Sequence, residues 1–173
     1  FLLGDGMGPA YIKAYRAFAN DPLTPVIDPL AIDPLLKGSV ATDSIVMSCE
    51  GVDETDCVRN PYGVTDSAAS ATAYATGVDT INGRLGVDVN GQPLTSVLEM
   101  AARRGKGTGI VSTSQVTHAS PAAFVAHVTA RRNYPDIADQ YYDNQVNGLP
   151  MVQVILGGGV NDFQREDRDV TAQ

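Results

Sequence analysis

The chain has 173 residues, 43% of them hydrophobic and 18% charged, which is the composition of a folded domain and not of a disordered segment. No apolar run approaches the ~18 residues that a membrane-spanning helix needs. Lys+Arg is 12 against Asp+Glu 20, a net charge of −8 with no basic stripe, which argues against a duplex nucleic-acid binder.

Phe1-Leu2-Leu3 reads as the end of a buried strand already in progress, so the chain is expected to be an internal segment of a longer protein. PAYIKAYRAFA has helical spacing of Ala, Tyr, Ile and Phe. The stretch from Asp21 to Pro34, with prolines at 22, 25, 29 and 34, is irregular. GSVATDSIV predicts a strand. Cys49 and Cys57 follow, with seven residues between them, and either close a small disulfide ring or remain thiols. Glu50, Asp53, Glu54 and Asp56 between them read as a solvated acidic loop or a calcium site.

SAASATAYAT is rich in Ala and predicts a helix. INGRLGVDVNGQPL holds two Asn-Gly pairs, the usual hairpin-turn signal. LTSVLEMAARRG is an amphipathic helix closed by Gly105. GTGIVST predicts a buried strand, and PAAFVAHVTARR a helix opening on Pro121 and ending near Arg131. YPDIADQYYDNQV predicts another helix and MVQVILGGG a strand. Helices alternating with strands give an α/β fold with a mostly parallel sheet, whose sites lie at the carboxyl ends of strands.

Three strand exits carry chemistry. In Gly4-Asp5-Gly6-Met7-Gly8 the glycines do not make a dinucleotide fingerprint, because Pro9 or Tyr11 stands where the third glycine is required. Asp5 there is either a turn or cap residue or a metal ligand. In Val64-Thr65-Asp66-Ser67-Ala68, Ser67 opens a helix, where N–H groups and the helix dipole favour an alkoxide and a phosphate; the plainer role is an N-cap. No G-x-S-x-G is present, so a nucleophile elbow is not the reading. In Thr117-His118-Ala119-Ser120-Pro121, His118 and Ser120 leave a strand, and Arg131 follows. A guanidinium grips two phosphate oxygens, or simply caps a helix end.

GDGMG, TDSAASATAYATG and VSTSQVTHASPAAFVAHVTAR occur in the order and rough spacing of alkaline phosphatases, and the chain resembles that family from Phe1 to about Gly159. The resemblance implies an alkaline-phosphatase-like three-layer α/β sandwich, of which these residues form an N-terminal portion of a single domain. It implies two zinc ions and one magnesium. Asp5 bridges a zinc and the magnesium, Ser67 is the nucleophile and reaches a zinc, and Ser120 is a magnesium ligand. Asp66 orients Arg131, which binds phosphate together with the Ala68 N–H. Members differ at the position of His118, which places it near the magnesium behind its ligands.

The expected reaction is hydrolysis of small phosphate monoesters through a phosphoserine, optimal at alkaline pH, with inorganic phosphate as product and inhibitor. The family setting implies a homodimer in the periplasm or outside the cell, and bridged cysteines. The family draws its zinc ligands largely from His and Asp in its second half, as it does a magnesium Glu. This chain has two histidines, His118 and His127, and His127 reads as a core or capping residue. The rival readings are a phosphodiesterase or sulfatase on the same fold, which usually uses Thr or a modified Cys where Ser67 stands, and a non-catalytic phosphate- or metal-binding fragment.

Overall fold

In the computed structural model, residues 1–23, 28–48 and 58–164 are described. Cys49, Cys57 and the acidic residues between them lie outside these. The chain divides into two compact units, Phe1–Ala41 and Thr42–Gln173.

In the first unit helix α1, Pro9–Ala19, starts with Pro9 in the first turn, where the missing N–H costs no bond. A 3-10 turn, Asp33–Leu35, is tied to α1 by an Arg16–Asp33 ion pair. The expected opening strand is absent. Residues 1–4 have no regular structure, and Phe1 and Leu2 are exposed. An apolar run becomes a strand only when a neighbouring strand takes up its N–H and C=O groups, and none pairs with it among the described residues. Asp5 sits at a turn closed by Met7 N–H to Gly4 O, with Gly6 at φ 67°.

The second unit opens with β1, Asp43–Ser48, and β2, Val58–Val64, an antiparallel pair. Helix α2, Ser67–Thr76, follows directly and ends at Gly77, whose φ of 77° gives the left-handed cap that glycine adopts without strain. Helix α3, Val97–Arg103, is capped by the Ser96 hydroxyl and ends before Gly105, as its sequence predicts. Strand β3, Gly109–Gln115, leads into the short α4, Ala119–Ala122. Helix α5, Tyr134–Asp143, the two-residue strands β4, Gln145–Val146, and β5, Leu149–Pro150, and strand β6, Val154–Gly158, complete the order. A 3-10 turn, Val160–Phe163, follows.

The fold class is as expected. Strands β3 and β6 pair in parallel, with Ile110 opposite Ile155 and Val111 opposite Leu156. Helices α4 and α5 lie between them in the chain. The core joins Ala68 and Ala71 of α2, Ala119 and Ala122 of α4, Ala126, Val128, and Ile137 and Tyr141 of α5. Small side chains on α2 and α4 let the two helices pack closely, and that contact carries Ser67 and Ser120 on neighbouring elements. No helix of the described residues is long and apolar enough to cross a membrane.

Two further expectations need correction. GTGIVST is not a buried strand: in β3 only Ile110 is buried, and Val111 is 74% exposed. PAAFVAHVTARR does not form a helix beyond Ala122. The segment instead runs back along the Asn82–Leu85 loop. Val128 and Leu85 exchange both N–H···O=C bonds at 2.9 Å, and the Arg131 N–H donates to Gly83 O at 2.7 Å. Helical periodicity in the sequence is outweighed by these bonds, which suit the β-branched Val128 and Thr129 better than a helix does.

Candidate active site

Six residues around the start of α2 form one hydrogen-bonded unit. Asp66 is the N-cap, and its Oδ1 accepts from the Ala69 N–H at 2.8 Å. Its Oδ2 accepts from the Gly83 N–H at 2.9 Å and from Arg131 Nη1 at 3.0 Å. The Asp66 N–H donates to Asn82 Oδ1 at 2.9 Å, and Asn82 Nδ2 donates to Val64 O at 2.8 Å. The Arg131 backbone is held by the same Gly83. One carboxylate therefore caps the helix, fixes the loop and seats the guanidinium. A negative charge at this helix end is favoured by the dipole. The side chains of Arg131 and Asp66 are 23% and 27% exposed, so the pair is partly shielded from solvent screening.

Ser67 is the first residue of α2 and half-buried, and Ala68 beneath it is fully buried. The N–H groups of Ser67 and Ala68 belong to the first turn, where helix geometry offers no intrahelical acceptor. Asp66 Oδ1 satisfies only the Ala69 N–H. The end of α2 thus brings together the Ser67 hydroxyl, first-turn backbone donors of which that of Ala68 lies buried, and, through Asp66, an arginine. Among the described residues Asp66 is the one ion-pair partner of Arg131 and engages Nη1. A guanidinium has five N–H donors, so the remaining fork can meet an anion.

The third segment follows the carboxyl end of β3. Thr117 is fully buried and its hydroxyl donates to Asp162 Oδ2, which anchors the turn to the 160–163 segment. His118, half-buried, is the N-cap residue of α4 and makes no side-chain cap bond. Ser120 lies in the first turn of α4, half-buried beside the buried Ala119.

Three supporting groups were not legible as site residues. Asn82 and Gly83 look like a hairpin turn, yet they lock Asp66 and Arg131. The second Asn-Gly pair does close a tight turn, with Asp88 N–H donating to Gln92 O at 2.9 Å. Glu99 and His127 form the other: Nε2 of His127 lies 2.8 Å from Glu99 Oε1, and Nδ1 lies 2.7 Å from Gly86 O. The pairing with Glu99 first, then the Gly86 carbonyl, pushes the His127 pKa up, against burial and Arg103, which lower it. His127 is thus partly buried among Glu99 and Gly86, and it lies beyond the end of α4 and not in a helix. Asp162 and Thr117 are the third. No periodicity links residues so far apart in sequence, and only the close approach required at Gly86 hints at a partner.

No complete metal site is formed among the described residues. Asp5, Ser67 and Ser120 offer oxygen donors, which suit a hard cation such as magnesium. Zinc favours His, Cys or carboxylates in groups of three or four, and among the described residues no group of three His, Cys, Asp or Glu could hold a metal. Asp5 belongs to the first unit and Ser67 and Ser120 to the second.

The alkaline phosphatase family model matches residues 1–173. The chain is 43% identical over 173 residues to alkaline phosphatase 4 of Bacillus subtilis, covering 99% of this chain and 35% of that protein. Among solved structures it is similar to the cold-active alkaline phosphatase of a psychrophilic Shewanella, with 40% identity and a TM-score of 0.69 over 94% of this chain and 36% of that one. It is also similar to a variant of TAB5 alkaline phosphatase with Mg bound in its M3 site, with 28% identity and a TM-score of 0.66 over 94% of this chain and 40% of that one. The chain spans about a third of the length of the first two of these relatives. On sequence and fold together, the chain belongs to the alkaline phosphatase family.

Proposed function

We propose that this chain is the part of a phosphate monoesterase that carries the nucleophile and the phosphate-binding arginine. The observation that supports it most is the double use of Asp66. The residue that caps the helix opening on Ser67 also holds Arg131, so nucleophile and phosphate clamp share one anchor.

In this reading a phosphate monoester docks with its non-bridging oxygens on the Arg131 fork and the Ala68 N–H. Ser67 Oγ attacks phosphorus in line. The Oγ–P bond forms, the ester P–O bond breaks, and the alcohol departs with a proton, leaving phosphoserine. Water then cleaves the Oγ–P bond and releases inorganic phosphate, which also competes with substrate. The Asp66 carboxylate keeps the guanidinium facing the Ser67 end of α2, and the helix dipole favours negative charge on Oγ. Bound divalent cations would lower the pKa of a coordinated hydroxyl and neutralise phosphate charge.

We assign Asp5, Ser67 and Ser120 as oxygen ligands of a metal set of one magnesium and two zinc ions, with His118 beside the magnesium. The Mg carried by the TAB5 variant supports the first of these. The remaining ligands are proposed to come from the portion of the relatives that this chain does not span. An alkaline optimum, a homodimer and a periplasmic or secreted setting complete the proposal. The test uses the full-length polypeptide with an aryl phosphate monoester, the matching diester and the sulfate ester. Fast turnover of the monoester alone is expected. Preference for the diester or the sulfate, or no turnover of any ester by metal-loaded protein, would overturn it.

A further inference from the structure

His127 stands four residues before Arg131, and every polar atom of the residue is engaged. From α5, Gln140 Oε1 accepts from the His127 N–H at 2.8 Å, and Gln140 Nε2 donates to the His127 carbonyl at 3.3 Å. Ring Nδ1 faces Gly86 O at 2.7 Å, and Nε2 faces Glu99 Oε1 of α3 at 2.8 Å. Three elements therefore converge on one residue. Gly86 is shaped for the contact. Its φ is 61°, and a Cβ there would fall 2.3 Å from Ala126 O and 2.8 Å from His127 Nδ1, so a side chain is excluded on both counts.

The chemistry of the ring decides its charge state. A neutral imidazole has one N–H and one lone pair. With a carbonyl oxygen at one nitrogen and a carboxylate oxygen at the other, a neutral ring would set its lone pair against an acceptor. The protonated ring is compatible with both oxygens. The Nε2–Oε1 separation of 2.8 Å puts a protonated ring and the Glu99 carboxylate in direct contact. The charged groups around the ring are Glu99 and, farther along α3, Arg103; α5 offers only the neutral Gln140, and the Gly86 loop its carbonyl. From His127 the chain runs through Val128, bonded both ways to Leu85, to Arg131, bonded to Gly83.

We propose that His127 is a positioning residue for Arg131: its protonated ring clamps the 126–131 segment between Glu99 and Gly86 and so sets how firmly the guanidinium is held for phosphate. This rests on the reading of Arg131 as the phosphate ligand. Protonated, the clamp is closed. As pH rises through the raised pKa of the ring, one of its two contacts is lost, the segment loosens and phosphate affinity falls. A clamp that slackens at alkaline pH would ease release of the product.

The test is calorimetric titration of the full-length polypeptide with inorganic phosphate, from about pH 6 to about pH 10, a span that brackets the ordinary histidine range. The variants are His127→Gln and Glu99→Gln, with thermal unfolding as the check on folding. In the wild type, phosphate affinity is expected to fall along an alkaline limb. His127→Gln should bind about tenfold more weakly at neutral pH, the scale of one charge-assisted hydrogen bond, and lose that limb. Glu99→Gln should keep the limb but move it to lower pH, a shift that a purely structural role would not produce. It also carries the test if His127→Gln does not fold. A wild type that binds phosphate with no change in affinity or limb in either variant overturns the positioning role alone. A wild type that does not bind phosphate overturns both this role and the reading of Arg131.

Discussion

The start of α2 and the β3–β6 pair are built from opposite kinds of contact. Around α2 the stabilising bonds are local to the unit. Asp66 alone serves the helix cap, the Gly83 loop and Arg131, and the alanines behind it are nearly all buried. In the parallel pair, backbone hydrogen bonds are made but side chains find little cover: Val111 is 74% and Leu156 57% exposed, and only Ile110 is buried. A polar hub can be complete within a few short segments, because hydrogen bonds saturate with their partners. A parallel sheet is stable only when both faces are packed. Ser67 and Arg131 are therefore held in place within this chain, whereas the side chains of the strand pair that leads to Ser120 find little cover.

The sharpest way to break this contrast is at Ser67, the proposed nucleophile. In the full-length polypeptide, Ser67→Ala should lower monoester turnover by roughly 10⁴-fold or more, the scale of losing a nucleophile, while leaving the unfolding midpoint nearly unchanged. Steady-state hydrolysis and thermal unfolding check both halves. Arg131→Ala comes next, weakening inhibition by phosphate by about ten- to a hundredfold, as for loss of charge-assisted hydrogen bonds. The competitive inhibition constant measures it.

Asp66→Ala strikes the hub itself. Loss of the cap costs about 1 kcal/mol, and loss of the acceptor shared by Gly83 and Arg131 about 1.5–3 kcal/mol more. Denaturant unfolding should register the sum. On the sheet, the two faces of β3 should behave differently: Ile110→Ala costs about 2–4 kcal/mol, whereas Val111→Thr changes stability by less than about 0.5 kcal/mol if nothing covers it. A larger penalty at Val111 in the full-length polypeptide would mark the position that further chain packs against.

A pH series sharpens the comparison at the smallest scale. The His127 pKa is raised in the fold, so its contribution is fully present below the ordinary histidine value near 6.5 and is lost as pH rises through the folded value. The stability difference between wild type and His127→Gln should therefore shrink from neutral to alkaline pH, by about 1 kcal/mol or less given the partial exposure of the ring. A difference that grows with pH would reverse the assigned charge state.

Much of this is written in the sequence at short range. Pro9 at a first turn, the Ala content of 67–76, Ser96 as cap and Gly105 as terminator all act within a few residues, and α1, α2 and α3 follow them. The site is legible at the same range. Asp66-Ser67 at a helix start is a local signal, and the pairing of Asp66 with Arg131 is what the family resemblance leads one to expect. What sequence periodicity misses is long-range. VAHVTAR has helical spacing, and only the bonds from Leu85 and Gly83, some forty residues earlier, pull it out of a helix. Phe1-Leu2-Leu3 has strand character but forms no strand. Asn82 is a turn residue by propensity, and its amide becomes a brace only when Val64 and Asp66 arrive beside it.

The most direct measurement is an acid quench of the full-length polypeptide during turnover of a phosphate monoester, followed by mass mapping of its peptides. One phosphoryl group on Ser67 is expected, absent from Ser67→Ala and more weakly populated in Arg131→Ala. Turnover with no phosphopeptide, or a phosphoryl group on another residue, would contradict the assignment of Ser67 as the nucleophile at the end of α2.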